Sequence, residues 1–205
     1  TLSEFGIKAI TGCEVYICDD VNVKDKNSKY YHLILLCKNE VGRLNLQKLV
    51  SQSSLYKYYG KPRIDFEMLK EYSDGLICLS ACMAGEVSRA LMDGDTSLAE
   101  HIVTKYKALF GDDYYIEYQA HSNTEQQKLN LQLVELAERL NIKYVVTCDA
   151  HYLNKENKKY HDIFVQIGTV REAGEIYDDC YIQSEQEVLN NCKSTQQYND
   201  KAIQN

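Results

Sequence analysis

Asp149 and His151 stand two positions apart, directly after a short apolar run. The run, residues 144–148, is rich in β-branched side chains and is typical of a buried strand. Residues i and i+2 point to the same side of an extended backbone, so a carboxylate and an imidazole can converge here. Both groups are common ligands of divalent metals. Taken alone, the pair favours a simpler interpretation, a polar loop in which Asp149 caps the next helix.

Similar side chains lie in or directly after the other predicted strands. They are Glu14, His32, Cys82, Glu117 and His121. Functional groups of α/β folds gather at the carboxyl ends of strands, so we expect several of these residues to meet. Carboxylate, imidazole and thiolate are zinc ligands, and the first two also suit manganese. Metal sites of this kind activate water and hold phosphoryl oxygens.

Each candidate also has a structural explanation. A histidine in an apolar strand, such as His32, is more often a hydrogen-bonded core residue, and Cys82 is more often a small buried hydrophobe. Glu14 and Glu117 would then face solvent, and His121 would bond a loop carbonyl. His161, in a later helix, is either a surface residue or a neighbour that orients a ligand. The metal hypothesis therefore depends on the joint placement of these residues.

The hydrophobic pattern predicts strands that alternate with helices. The strands are predicted at 7–18, 31–37, 75–81, 114–119 and 143–148. The helices are predicted at 40–59, from the Asp65 cap to Tyr72, over 84–110 with a break near 93–95, at 123–140, at 155–167, and after a capping box of Ser184 and Glu187. Residues 169–182 are predicted to be irregular. The alternation predicts an α/β fold with a largely parallel sheet of about five strands, either open or closed into a barrel.

The composition restricts the possible classes of protein. The 205 residues suffice for one sizeable domain, and no apolar run reaches the ~20 residues that cross a bilayer. The net charge of −7 argues against a broad nucleic-acid surface, but it leaves room for a small site that holds phosphate through metal ions. Eight cysteines without a CxxC pair, and no secretory signal, predict free thiols in a reducing, cytoplasmic location without membrane association.

Five blocks of the sequence, in order, resemble one known family. The blocks are GIKAITGCEVYI, HLILLCKNEVGRLNLQKLVS, YYGKPRIDFEMLKEYSDGLICLSACMAGEV, YYIEYQAHSNTEQ, and YVVTCDAHYLNKEN with YHDIFVQIGT. They resemble the PHP (polymerase and histidinol phosphatase) domain of bacterial replicative DNA polymerase III alpha subunits. The KPRID and SACMAGE segments are more similar to the polymerase branch than to free-standing histidinol phosphatases.

The resemblance implies a PHP domain over residues 1–192, with residues 193–205 starting a connection to a polymerase core. The implied fold is a distorted, seven-stranded (β/α) barrel. The first motifs of the family, an HxH strand end and a later histidine turn, have no counterpart in the sequence. We therefore expect an N-terminally truncated domain with an incomplete barrel.

The resemblance also assigns site residues. The positions that match family ligands are Glu14, His32, Cys82, Asp149 and His151, which in the intact family domain belong to a site for up to three manganese or zinc ions. Asp149 and His151 are also the catalytic candidates. Arg63 and His121 are candidates for contact with a substrate phosphate, although a structural role for Arg63 is an equal alternative.

The implied function is that of a DNA-directed DNA polymerase, a nucleotidyltransferase of DNA replication, whose PHP site is a metal-dependent phosphoesterase and 3′–5′ exonuclease. The expected partners are DNA, through the full-length protein, and replisome subunits such as a proofreading exonuclease. The truncated piece alone is expected to be inactive. Two alternatives stay open: a stand-alone phosphatase of the histidinol-phosphatase type, and a replisome scaffold with a vestigial site.

Overall fold

The computed structural model describes residues 2–25, 27–168, 179–194 and 202, and the chain divides into two compact units, residues 1–115 and 116–205. The first unit contains the elements β1 (Gly12–Ile17), β2 (Tyr31–Cys37), α1 (Glu40–Tyr56), β3 (Tyr58–Tyr59), β4 (Lys61–Ile64), α2 (Phe66–Glu71), β5 (Leu76–Leu79), α3 (Glu86–Met92) and α4 (Thr96–Phe110). Strand β6 (Tyr114–Gln119) begins in the first unit, and the second contains α5 (Thr124–Arg139), β7 (Lys143–Thr147), α6 (Lys158–Gly168) and α7 (Glu185–Ser194).

The sheet of the first unit has mixed strand directions. Its order is β3-β4-β1-β2-β5, and the first residues of β6 pair with β5. Strand β2 is antiparallel to both β1 and β5, whereas β4 is parallel to β1. The prediction of a largely parallel sheet is therefore wrong in this unit. The physical reason is that no helix separates β1 from β2, and a parallel pair needs a long crossover.

Period-two alternation gives β1 and β2 one buried face. Val15 and Ile17 on β1, and Leu33 and Leu35 on β2, are at most 7% exposed. The residues that alternate with them, including Glu14 and His32, lie on the opposite face. The alternation that builds the core therefore also turns two candidate ligands to a common side of the sheet.

Helix boundaries in the first unit follow the predicted caps. Asp65 accepts a hydrogen bond from the Met68 amide at 3.0 Å and starts α2, as predicted. The predicted break within 84–110 separates α3 from α4. The predicted helix over 40–59 is too long, because α1 ends at Tyr56 and the next tyrosines form β3.

The second unit confirms the predicted amphipathic helix. Leu129, Leu133 and Leu136 of α5 are at most 2% exposed, and β7 follows as the neighbour of β6. The capping box is also present, because Ser184 donates its amide hydrogen to the Glu187 carboxylate at 2.8 Å.

The remaining differences lie at element ends. The first predicted strand begins at residue 12 rather than 7, the third spans 76–79 rather than 75–81, and residues 155–157 form a 3₁₀ turn before α6. Most of the predicted irregular stretch, residues 169–178, lies outside the described residues. Within the described ranges, every helix is too short or too polar to cross a bilayer.

Candidate metal-binding site

Glu14, His32 and Cys82 converge in the first unit. Nδ1 of His32 lies 3.1 Å from a carboxylate oxygen of Glu14 and 3.6 Å from the Cys82 sulfur. The side chains of His32 and Glu14 are 23% and 38% exposed, so the cluster is open to solvent. The structure thus brings together three of the five predicted metal ligands.

Strand register explains this meeting. Glu14 pairs with Ile34 and Tyr16 pairs with His32, so Glu14 and His32 are diagonal neighbours on one face of the sheet. Because β5 is antiparallel to β2 and pairs Leu79 with Ile34, the chain that leaves β5 runs toward the start of β2. This path brings the following turn beside His32.

The turn after β5 needs an unusual backbone to place Cys82. Ala81 has a φ of 63°, and the amide of His32 donates to the carbonyl of Ala84 at 3.0 Å. A Cβ on Gly85 would lie 2.1 Å from the Ser80 carbonyl oxygen, so only glycine fits at that position. The Ala84 amide in turn donates to the Cys82 sulfur at 3.4 Å.

The electrostatics of this cluster favour positive charge at its centre. Hydrogen bonds with Cys82 and then with Glu14 raise the pKa of His32 to about 10, against the effect of burial. Ligand atoms around a tetrahedral zinc ion stand roughly 3.4–3.6 Å apart, as follows from metal–ligand distances of about 2.0–2.3 Å. The observed separations of 3.1 and 3.6 Å are close to these values, so the donor set fits a divalent ion.

Asp149 and His151 lie in the second unit, after β7. Nδ1 of His151 is 2.6 Å from the Asp149 carbonyl oxygen and 3.9 Å from its carboxylate. The extended backbone expected here is wrong, because Asp149 has a φ of 44° in the left-handed region, which aspartate tolerates better than most residues. The turn brings the two side chains near each other, with 33% and 41% exposure.

The main chain of Cys180 holds this turn. Its carbonyl oxygen accepts hydrogen bonds from the amides of His151 at 2.8 Å and Tyr152 at 3.4 Å. The ring of His161 lies 6.0 Å from that of His151 and 5.6 Å from that of Tyr152. His161 therefore lies beside a candidate ligand, and a role in orienting that ligand stays a prediction.

Arg63 is buried, with 2% of its surface exposed. Its guanidinium donates to the Val23 carbonyl at 3.1 Å and lies 5.1 Å from the Tyr59 ring centre. This placement favours the structural alternative over contact with a substrate phosphate. Lys61, two residues earlier, instead lies 4.2 Å from the ring centre of Tyr16, which is itself an edge-on neighbour of His32.

His121 and Glu117 are buried in the second unit. Glu117 accepts a hydrogen bond from the Thr147 hydroxyl at 2.7 Å rather than facing solvent. His121 is fully buried, with Asp179 3.2 Å from Nδ1 and the Cys180 sulfur 3.9 Å from Nε2. Burial raises the pKa of Asp179, but hydrogen bonds from His121 and Ser122 outweigh this effect and lower it overall.

Sequence reasoning missed Lys61, Asp179 and Cys180. Lys61 and Arg63 lie in the same charged segment around Pro62, and the sequence does not distinguish their roles. In the structure both residues belong to the short strand β4, and it is Lys61 that lies over the ring of Tyr16. Asp179 and Cys180 are separated from His121 by more than 55 residues, and no motif connects them. The spacing of residues along the chain therefore did not indicate that Asp179 and Cys180 lie beside His121.

Comparison with known families matches residues 1–121 to the PHP domain, a stretch that includes Glu14, His32 and Cys82. This chain belongs to the PHP domain family. The match ends before Asp149 and His151, and the assignment of all five residues as metal ligands stays a prediction.

The chain is also similar to individual proteins. It is 44% identical to the DNA polymerase III subunit alpha of Treponema pallidum (strain Nichols) over 83% of its own length. It is 37% identical to the protein of that name from Borreliella burgdorferi over 89%, and 38% identical to that from Aquifex aeolicus over 79%. The chain spans only 15–17% of the length of these relatives.

Proposed function

We propose that this chain is the PHP region of a replicative DNA polymerase III alpha subunit and that it carries a metal-dependent phosphoesterase site. The convergence of Glu14, His32 and Cys82 within the stretch that matches the PHP domain is the observation that carries the proposal. Similarity to three polymerase subunits from different bacteria supports the wider identity. We also propose that the strands of this chain belong to the distorted (β/α) barrel expected for the family.

The residues of the chain suggest a division of roles. Glu14, His32 and Cys82 would hold a divalent ion, manganese or zinc, with Cys82 as a thiolate. Asp149 and His151 offer a second pair of metal-binding groups. Bound ions would lower the pKa of water and balance the charge of a phosphodiester. The ammonium of Lys61 lies 4.2 Å from the ring centre of Tyr16 and would attract an anionic substrate toward that face of the sheet.

The proposed substrate is the 3′ end of a DNA strand, as the resemblance to the PHP domains of the polymerase branch implies. The whole protein would extend DNA from nucleoside triphosphates, with DNA and other replisome subunits, such as a proofreading exonuclease, as partners. A cytoplasmic location agrees with the free thiols found throughout the described part of the chain.

The test measures nucleotide release from a 3′-labelled oligonucleotide by the whole protein in the presence of manganese. Loss of a residue that supports a metal ligand lowers activity about 10–100-fold, and loss of the ligand itself should cost at least as much. We therefore expect Cys82→Ser and His32→Asn each to lower nucleotide release at least about 100-fold. Matched controls are Cys37→Ser, for a thiol elsewhere, and His101→Asn, for an exposed histidine.

Two outcomes would change the proposal. A wild-type protein that binds metal and extends DNA but releases no 3′ nucleotide would leave the site as a scaffold rather than an exonuclease. Release that persists unchanged in folded Cys82→Ser and His32→Asn proteins would show that the activity belongs to another site. Nucleotide incorporation, measured in parallel, tests the polymerase identity separately.

A further inference from the structure

A second cluster of metal-ligating side chains lies inside the second unit. His121 follows β6, and Asp179 and Cys180 precede α7. One ligand atom from each of the three residues lies within 4.8 Å of the others. The three residues are 0%, 9% and 3% exposed, so the cluster is far less accessible than the Glu14–His32–Cys82 cluster.

The donor set is specific in its chemistry. An imidazole nitrogen, a carboxylate oxygen and a thiol sulfur together suit zinc, whereas magnesium and calcium prefer oxygen ligands alone. The sulfur of Cys180 is 3.9 Å from Nε2 of His121. A tetrahedral zinc would need about 3.6 Å between these atoms. The Asp179 oxygen lies 3.2 Å from Nδ1, the other ring nitrogen, and one ion binds only one of the two nitrogens. Because one ligand atom of each residue lies within 4.8 Å of the others, movements of about an ångström would bring all three to the separations of tetrahedral zinc.

Hydrogen bonds from neighbouring residues hold Asp179 in this cluster. The Ser122 amide donates to Oδ2 of Asp179 at 2.5 Å, and the Gln183 side chain donates to the Asp179 carbonyl at 2.6 Å. These bonds hold the main chain and Oδ2 of Asp179, while Oδ1 lies 3.2 Å from Nδ1 of His121. Three buried ligands that are already gathered lose less conformational entropy when an ion binds than ligands that are apart.

We propose that His121, Asp179 and Cys180 together bind one zinc ion that stabilises the second unit. Its role follows from the main chain of Cys180, whose carbonyl oxygen accepts hydrogen bonds from His151 and Tyr152. An ion held by Cys180 fixes this residue and, through it, the turn that carries Asp149 and His151. The site supports the geometry of that turn without contacting the substrate.

Cobalt(II) serves as the probe, because a thiolate bound to cobalt gives a sulfur-to-metal absorption band in the near ultraviolet. The full chain is titrated in the Cys82→Ser background. This change removes the thiol of the exposed cluster, so that cluster contributes no sulfur-to-cobalt absorption. We expect the band to persist in this background with one cobalt per chain. Adding Cys180→Ser should abolish it, whereas adding Cys37→Ser should leave it unchanged.

The proposal is overturned if the folded Cys82→Ser chain shows no thiolate band, or if the band survives in the Cys82→Ser, Cys180→Ser chain. Should this double variant fail to fold by circular dichroism, Asp179→Asn in the Cys82→Ser background takes its place. Because Asp179 is a proposed ligand, this change should weaken cobalt binding at least about 100-fold, and unchanged affinity would refute the site. Because Cys82 is absent throughout, failure here leaves the proposed phosphoesterase site untouched.

Discussion

Replacement of Glu14 by glutamine should lower the pKa of His32 in the metal-free protein. The Glu14 carboxylate lies 3.1 Å from Nδ1 of His32, and it is the second cause, after Cys82, of a pKa of about 10. Because both side chains are partly exposed, a water-like dielectric applies, and Coulomb's law at 3.1 Å gives about 1.3 kcal/mol. That energy corresponds to about one pKa unit.

The same change alters stability in a pH-dependent way. A folded-state pKa of about 10 exceeds the unfolded value of roughly 6.5, so charged His32 stabilises the fold fully below pH ~6.5. This contribution is lost as the pH rises through about 10. We therefore expect Glu14→Gln to lower the free energy of unfolding by about 1 kcal/mol at pH 6 and to have little effect above pH ~10.

The assay is an NMR titration of the His32 ring in protein freed of metal, with urea unfolding at each pH. Glu40→Gln is the matched control, because Glu40 is an exposed carboxylate that bonds Arg43 instead. Cys82→Ser should lower the pKa of His32 more than Glu14→Gln does, since Cys82 is the larger cause. A wild-type His32 that titrates near 6.5, or one that is insensitive to both changes, would refute the clustering of the three residues.

Two further predictions concern packing in the first unit. Gly42→Ala should destabilise the chain by at least about 1–3 kcal/mol in urea unfolding, because a Cβ there would lie 1.8 Å from the Gly75 carbonyl oxygen. Ser54→Ala, at an exposed position of the same helix, should have little effect, and equal effects would contradict this account. Cys78 is fully buried, and burial raises its pKa well above the ordinary value, so a thiol reagent should modify Cys78 only on unfolding. The partly exposed Cys37 should react in the folded chain, and modification of both at one rate would count against the packing of β5.

The sequence predicted elements well where a local signal existed. The period of the leucines located α5, and the caps at Asp65 and Ser184 located two helix starts. Strand direction had no such signal, because β1 and β2 have apolar residues that suit either sheet type. What decides direction is the connection between strands, and the loop between β1 and β2 could be recognised only as polar.

The residues of the exposed cluster, Glu14, His32 and Cys82, could be predicted because they too had a local signal in the sequence. Each of Glu14, His32 and Cys82 lies in or beside a strand, and the resemblance to a known family added to that pattern. The left-handed turns at Ala81 and Asp149 were not predictable, because neither residue is a glycine that would have marked them. Left-handed residues at both places agree with the general tendency of such conformations to occur at functional sites.

The two clusters contain the same kinds of side chain but differ in geometry and exposure. Glu14 and Cys82 both face Nδ1 of His32, whereas Asp179 faces Nδ1 and Cys180 faces Nε2 of His121. The His32 and Glu14 side chains are 23% and 38% exposed, so water and a phosphate ester can approach them. His121 is 0% exposed, and an ion beside it could fix the chain but could not reach a DNA end. Similar donor chemistry therefore leads to two different proposals, a catalytic metal at the exposed cluster and a structural metal at the buried one.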